Sequence, residues 1–260
     1  MCKVIAVANQ KGGVGKSTTT CNLGIGLARK GKRVLCIDAD PQGDLSTCLG
    51  IAQPDELDYS LFTVMNKLIN GETVEQTDGI LHHEEGVDFL PGNIELCDLE
   101  LSLVITMNRE RILQEYINIV KSNYDYILID CMPSLGLITI NVLACADTIL
   151  IPVGADYLPL KGLQQLIKTI GKVKRQINNK LEIEGVLITM YDSRTNFAKD
   201  ICELLQNTYG NNVRIYSDKI PVSVRVKESP AHGISIYKYS PRSKAAKAYL
   251  ELVKEVLENE

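Results

Sequence analysis

Residues 7–18 read VANQKGGVGKST, a stretch whose residue types and spacing suit the binding of phosphate. Gly15, Lys16 and Ser17 fit the end of the phosphate-loop pattern G-x-x-x-x-G-K-[ST]. The opening glycine of that pattern is replaced by Gln10, and a second lysine, Lys11, stands beside the gap. Gly12, Gly13 and Gly15 allow the backbone around Val14 to curl so that its N–H groups face inward. A helix opening at Lys16 adds free N–H donors and the positive end of its dipole, so an anion belongs there. On this reading Lys16 reaches the β- and γ-phosphates of a nucleotide, the Ser17 hydroxyl ligates magnesium and Thr18 touches the α-phosphate.

Such a site also needs carboxylates at the C-terminal ends of neighbouring strands, where ligands of open α/β sheets collect. The run VLCID ends at Asp38, with Asp40 two residues on, and YILID ends at Asp130. One acid after one strand would only cap the next helix. Three acids after two strands, beside a phosphate loop, point to a magnesium nucleotide site.

The elements that must position these groups are legible in the apolar runs. Strands are expected at 3–8, 33–38, 87–90, 126–130, 148–153, 183–189 and 213–216. Helices are expected near 16–30, 58–69, 93–105, 108–122, 135–144, 160–178, 196–209 and 242–258. Runs that are apolar throughout belong to strands covered on both faces. The expected fold is therefore α/β: a doubly wound, mostly parallel sheet with helices on both faces, the P-loop nucleotide-hydrolase fold, in a single domain over 1–260. Segment 70–86 is the least regular and reads as a surface connection, with His82 and His83 solvated and not metal-binding.

Bulk properties narrow the classes. The 260 residues are 45% apolar and 23% charged, with a formal net charge of −4, so total charge does not favour nucleic acid or acidic lipid and any such contact needs a local basic patch. The eight cysteines contain no C-x-x-C pair, and several sit inside apolar runs, which suits a reducing cytoplasm. No segment reaches the ~18–20 apolar residues of a membrane span.

These residues carry a family resemblance. The blocks NQKGGVGKSTTTCNLGIGLARKGKRVLCIDADPQG, YDYILIDCMPSLG, GVLITMYDSRTN and KIPVSVRVKESPAHGISIYKYSPRSKAAKAYLEL occur in that order nearly end to end. The chain resembles the ParA/MinD group of P-loop ATPases, whose deviant loop reads K-G-G-x-G-K-[ST], and within it the ParA/Soj chromosome and plasmid partitioning proteins. The resemblance implies ATP and magnesium as cofactors and a weak ATPase stimulated by a ParB-type centromere-binding protein. It also implies a homodimer that forms with ATP and holds DNA without sequence preference at the nucleoid. The extra lysine, Lys11, would cross the dimer interface to the partner's nucleotide. Asp40 would position the attacking water, Asp38 and Asp130 would act on the magnesium side through bound water, and Pro221 and Ser223 would surround the adenine. After that proline the family more often has Arg-Asn, where this chain has Val222 and Ser223, and Met132 replaces a usual proline.

For DNA, Arg225 matches a family arginine, and Lys227, Lys219 and Arg214 lie near it in sequence. Residues 157–181 contain no acid and six bases, of which Lys161, Lys168, Lys172 and Arg175 share a helix face; this stripe reads as the solvated side of an amphipathic helix, with DNA contact the alternative. A MinD-like membrane role would require a cationic terminal helix. Residues 244–260 carry three lysines against four glutamates and are expected to pack on the sheet, so no membrane partner is expected. The chain starts almost at the phosphate loop, so no N-terminal helix-turn-helix extension is expected. A metabolic ligase or an electron carrier on the same scaffold is disfavoured by the lack of a recognisable second-substrate pocket or cluster-binding cysteines.

Overall fold

Val- and Ile-rich runs separated by helix-forming segments give the computed structural model its architecture; it describes residues 2–155 and 159–259, with only the backbone for 159–161. The strands are β1 Lys3–Val7, β2 Val34–Ala39, β3 Leu81–His82, β4 Asp88–Leu90, β5 Tyr126–Cys131, β6 Thr148–Gly154 and β7 Glu182–Thr189. The helices are α1 Lys16–Ala28, α2 Asp44–Cys48, α3 Leu61–Ile69, α4 Leu96–Ile105, α5 Ile112–Val120 and α6 Leu137–Cys145, then α7 Pro159–Gln176, α8 Asn196–Tyr209, α9 Val224–Glu228, α10 Ile236–Tyr239 and α11 Lys244–Leu257.

One seven-stranded sheet runs in the order β3-β4-β2-β5-β1-β6-β7. All neighbours are parallel except the β3–β4 pair at the edge. Strand residues alternate between two cores, as the two-residue strand period requires. Val4 and Ala6 of β1 face α3 to α8, while Ile5 and Val7 face α1, α2, α10 and α11. The doubly wound, mostly parallel α/β fold with helices on both faces, expected from the apolar runs, is the one observed.

Local chemistry sets several ends. Ser60 and Thr63 form a reciprocal capping box at α3, and Ser243 accepts from the Ala246 N–H at the start of α11. Gly26 lets α1 approach α11: a Cβ there would lie 2.5 Å from Val253 Cγ2.

Three expectations need correction. Segment 213–216 is not a strand: Ile215 makes a single bridge to Val186 before the chain turns at Ser217, whose N–H and hydroxyl bond to Glu255. Segment 70–86 contains β3, which pairs with β4. His83 is buried, not solvated, and its Nε2 lies 3.0 Å from the Gly233 carbonyl, while His82 pairs with Asp88 at 2.7 Å. The short helices α2, α9 and α10 were not expected, because four or five residues carry too little periodicity to register.

Candidate functional site

The phosphate loop runs from the end of β1 to the start of α1, and its shape is held from both sides. Asn9 donates to the Pro152 carbonyl at 2.6 Å and accepts the Lys11 N–H at 3.0 Å, while the Thr189 hydroxyl donates to the Val14 carbonyl at 2.8 Å. Gly13 and Gly15 adopt φ of 69° and 83°, the left-handed region that suits glycine. Gly15 caps α1 without a side-chain hydrogen bond, and the first turn has no acid, so the opening N–H groups remain for an anion. Lys16 is buried behind the loop; Ser17 and Thr18 are half-buried at the mouth of α1.

Two cavities meet at this loop. The first, about 360 Å³, is lined by Gly13, Lys16, Ser17, Asp40 and Thr47 among others. The second, about 300 Å³ and more apolar, is lined by Ile220, Pro221, Ser223, Val226, Lys227 and Tyr249 among others. Gly15, Thr18, Met190 and Pro230 belong to both walls, so the two form one elongated cleft. One end is polar with a lysine and glycine N–H groups, and the other end is a slot for a flat apolar group. That is the shape of a nucleoside polyphosphate.

The three strand-end acids have different surroundings. Asp40 lines the first cavity and accepts the Gln42 N–H at 3.0 Å. Asp38 is buried beneath it; it accepts the Ser46 N–H at 2.8 Å, the Ser46 hydroxyl at 2.7 Å and the Asp40 N–H at 3.2 Å, which fixes the start of α2. Desolvation pushes the Asp38 carboxyl up to about 7, against the pull of its Ser46 and Asp40 donors. Asp130 is paired with Asp38 across β2 and β5, is 0% exposed, and neither of its carboxylate oxygens has a hydrogen-bond partner within bonding distance. Burial first, and then the charge of Asp38, raises its carboxyl well above the usual range; the Ser17 hydroxyl and the Lys16 ammonium work in the opposite direction. Asp38 and Asp130 are buried and do not line the cavity.

Sequence reading missed several wall residues. Asp44 and Thr47 come from α2, and Met190 holds φ of 52°, a left-handed conformation uncommon for a side-chain-bearing residue. Strain of this kind gathers at ligand sites. The acid that ends DADPQGD, residues 38–44, offered a signal for Asp44; nothing local marked Met190 or Pro230.

Of the proposed DNA-contacting residues, Arg225 is exposed on α9, its guanidinium 5.9 Å from the Tyr239 ring centre. Glu228 accepts the Tyr239 hydroxyl at 2.9 Å. Lys227 is exposed at the rim of the second cavity. Arg214 is tied to Glu255 at 2.9 Å, and Lys219 stacks on Tyr191. On α7, Lys168, Lys172 and Arg175 are exposed, while the side chain of Lys161 lies outside the described residues. Helix α11 buries Ala245, Tyr249, Leu252, Val253 and Val256 against the α1 side of the sheet, the packing expected from its pattern. Among the described residues no helix is long and apolar enough to cross a membrane.

Comparison with known proteins agrees with this geometry. A family model described as an AAA domain matches residues 2–183. The chain is 43% identical to the sporulation initiation inhibitor protein Soj of Bacillus subtilis (strain 168), with 100% of each chain covered. It is 38% identical to the chromosome partitioning protein ParA of Caulobacter vibrioides, over 99% of this chain and 95% of that protein. Among solved structures, a cobyrinic acid a,c-diamide synthase from Mycobacterium smegmatis with bound ADP and magnesium superposes with a TM-score of 0.86 at 34% identity, over 100% of this chain and 95% of that one. With a deviant phosphate loop, two acid-terminated strands and full-length similarity to Soj and ParA, the chain belongs to the ParA/Soj family of partitioning proteins within the ParA/MinD group of P-loop ATPases.

Proposed function

We propose that this chain is a DNA-partitioning ATPase that binds magnesium ATP, pairs with a second copy around the nucleotides, holds DNA without sequence preference and lets go on hydrolysis. The observation that carries the reading is the single cleft with a glycine-and-lysine cradle at one end and an apolar slot at the other. In it, the inward N–H groups of Gly12 to Thr18 and the Lys16 ammonium would hold the phosphates, and Pro221 and Ser223 would flank the base.

Magnesium suits the residues present. Asp130 is a buried carboxylate with two unpartnered oxygens behind Ser17, an arrangement that a divalent cation nearby would stabilise. Magnesium keeps several waters and borrows phosphate oxygens, so one hydroxyl and one or two carboxylates suffice. Ser17 would hold it directly, with Asp130 and Asp38 acting through water; the ion would supply neutralisation of the charge that develops on the phosphates.

Asp40 stands at the cavity wall with one oxygen on the Gln42 N–H, and the other would orient a water toward the terminal phosphate. Lys11 is half-buried at the start of the loop, next to exposed Gly12 and Gly13, where an added Cβ meets nothing within 4 Å. That open flank is where a second copy would approach, and Lys11 would then reach the partner's phosphates. A cation supplied in trans ties pairing to nucleotide and contributes ~10³–10⁵ in phosphoryl-transfer rate in well-studied cases. Arg225, with Lys227 beside it, would meet DNA phosphates, so binding would weaken steeply with salt. A ParB-type partner would stimulate hydrolysis.

The test is the size and DNA retention of wild type, Lys11→Ala, Asp40→Ala and Arg225→Ala with ADP and with ATP. ATP is expected to dimerise wild type and Asp40→Ala, and both then retain DNA; Arg225→Ala dimerises without retaining DNA, and Lys11→Ala stays monomeric. DNA retention by an ADP-loaded monomer would overturn the reading. So would ATP-dependent binding to liposomes in place of DNA.

A further inference from the structure

Helix α4 carries large apolar side chains on two opposite faces. Leu96, Leu99 and Leu103 point into the core, and on the opposite side Leu101 and Val104 are exposed, while Ile105 and then Met107 in the following turn are each 89% exposed. A helix of this composition on a surface leaves an apolar patch that water covers poorly, and such patches mark interaction sites. The patch is bordered by acids: Glu95 and Asp98 are exposed on the same helix end, and Asp55, also exposed, accepts the Ile94 N–H at 2.9 Å. Residues 92–108 contain no lysine or arginine. Arg109, just beyond, is engaged by Glu110 at 3.1 Å and by the Val104 carbonyl at 2.9 Å.

The same helix touches both loops that flank the phosphate end of the cleft. At its approach, the Gly92 N–H donates to the Ser46 hydroxyl at 3.1 Å, and Gly92 lies so close to the Asp38 and Asp40 carbonyls that no side chain fits there. From half-buried Glu100 the carboxylate packs against Gly136, and Glu100 Oε1 is buried without a hydrogen-bond partner. Gly136 caps α6 and follows Pro133, which lines the first cavity.

We propose that the outer face of α4 is the docking site for a basic amphipathic peptide of a regulatory partner, and that docking reaches Asp40 through Gly92 and the cavity wall at Pro133 through Glu100 and Gly136. Apolar side chains of the peptide would cover Leu101, Val104, Ile105 and Met107, and its cations would meet Asp55, Glu95 and Asp98. The identity of the partner as ParB-type rests on the proposed function; the surface and the chemistry of its occupant rest on α4.

Cys97, exposed on α4, is a built-in footprint probe. The probe peptide is a synthetic peptide of the most basic amphipathic segment in the sequence of the ParB-type protein from the same genome, added to the ATP-loaded protein with DNA. Alkylation of Cys97, read by mass spectrometry, is expected to slow at least about fivefold with peptide, and ATPase stimulation is expected to fall at least about tenfold in Ile105→Ser/Met107→Ser. Basal ATPase and ATP-dependent dimerisation of that variant should match wild type, since both side chains are in solvent. Unchanged Cys97 alkylation with peptide, or wild-type stimulation in the double variant, would overturn the docking site. Protection of Cys97 by ATP alone would also overturn it, by assigning the face to a second copy. Protection of Cys97 by the peptide without any stimulation of wild type would uphold the surface and count against the partitioning reading.

Discussion

Asp130→Asn replaces a buried, unpartnered carboxylate by a neutral group of the same shape, and without nucleotide it should make the protein more stable. Both oxygens of Asp130 are shut off from water and accept no hydrogen bond, and Asp38 lies directly across the sheet. The folded-state carboxyl is raised by burial and by Asp38, so the folded chain holds a proton that the unfolded chain releases near pH 4. The stability associated with that proton is fully present below about pH 4 and is lost as pH rises toward the raised folded value. Asparagine has no such dependence. The gap between variant and wild type should therefore be near zero at pH 4 and widen by up to about 1.4 kcal/mol per pH unit above it. Interior relaxation and water entry reduce this to about 1–3 kcal/mol in total by pH 7. For a chain of this size that corresponds to a rise in Tm on the order of 2–4 °C per kcal/mol. Urea unfolding at pH 5, 6 and 7 measures the gap. With saturating magnesium ATP the order should reverse, because wild type gains binding energy that the variant lacks. A gap that stays constant with pH, or a variant less stable than wild type at pH 7 without nucleotide, would refute the reasoning.

Further outcomes follow from close contacts. Gly15→Ala places a Cβ on a residue with φ of 83°, at a local cost of about 1–2 kcal/mol, and should cut ATP affinity at least about tenfold by calorimetry while the fold is retained. Ser46→Ala removes the hydroxyl that donates to Asp38 at 2.7 Å and accepts from Gly92, and should cost about 1–3 kcal/mol in urea unfolding. Gly26→Ala drives a methyl to 2.5 Å from Val253 Cγ2 and 2.7 Å from the Tyr237 hydroxyl, which should destabilise by about 1–3 kcal/mol and lower the thermal midpoint accordingly.

The phosphate loop, Lys16, Ser17 and the acids at 38, 40 and 130 were legible because each rule behind them is local. Glycine permits the left-handed turns at 13 and 15, a helix start presents N–H groups, and uninterrupted Val and Ile runs demand a sheet covered on both faces. Pro221 and Ser223 entered through family resemblance alone, since nothing near them in sequence marks a pocket. The strand expected at 213–216 and not formed shows the limit: the segment has an apolar pattern, but the edge of β7 accepts it for only one residue pair. His83 reads as polar and solvated, yet it is buried against Gly233, 150 residues away.

From the sequence alone came the doubly wound α/β class, the position of the anion cradle and the inventory of acids beside it, since side-chain type and near-neighbour spacing decide those. Tertiary structure decided how the acids differ. Asp38 is held by Ser46, Asp40 faces the cavity, and Asp130 is left with no donor, because desolvation and hydrogen-bond supply depend on which distant segments close over a group. The same holds for the base slot, whose walls at Thr18, Met190, Pro221 and Tyr249 span most of the chain and meet only when α1 and α11 pack on one face of the sheet beside the end of β7.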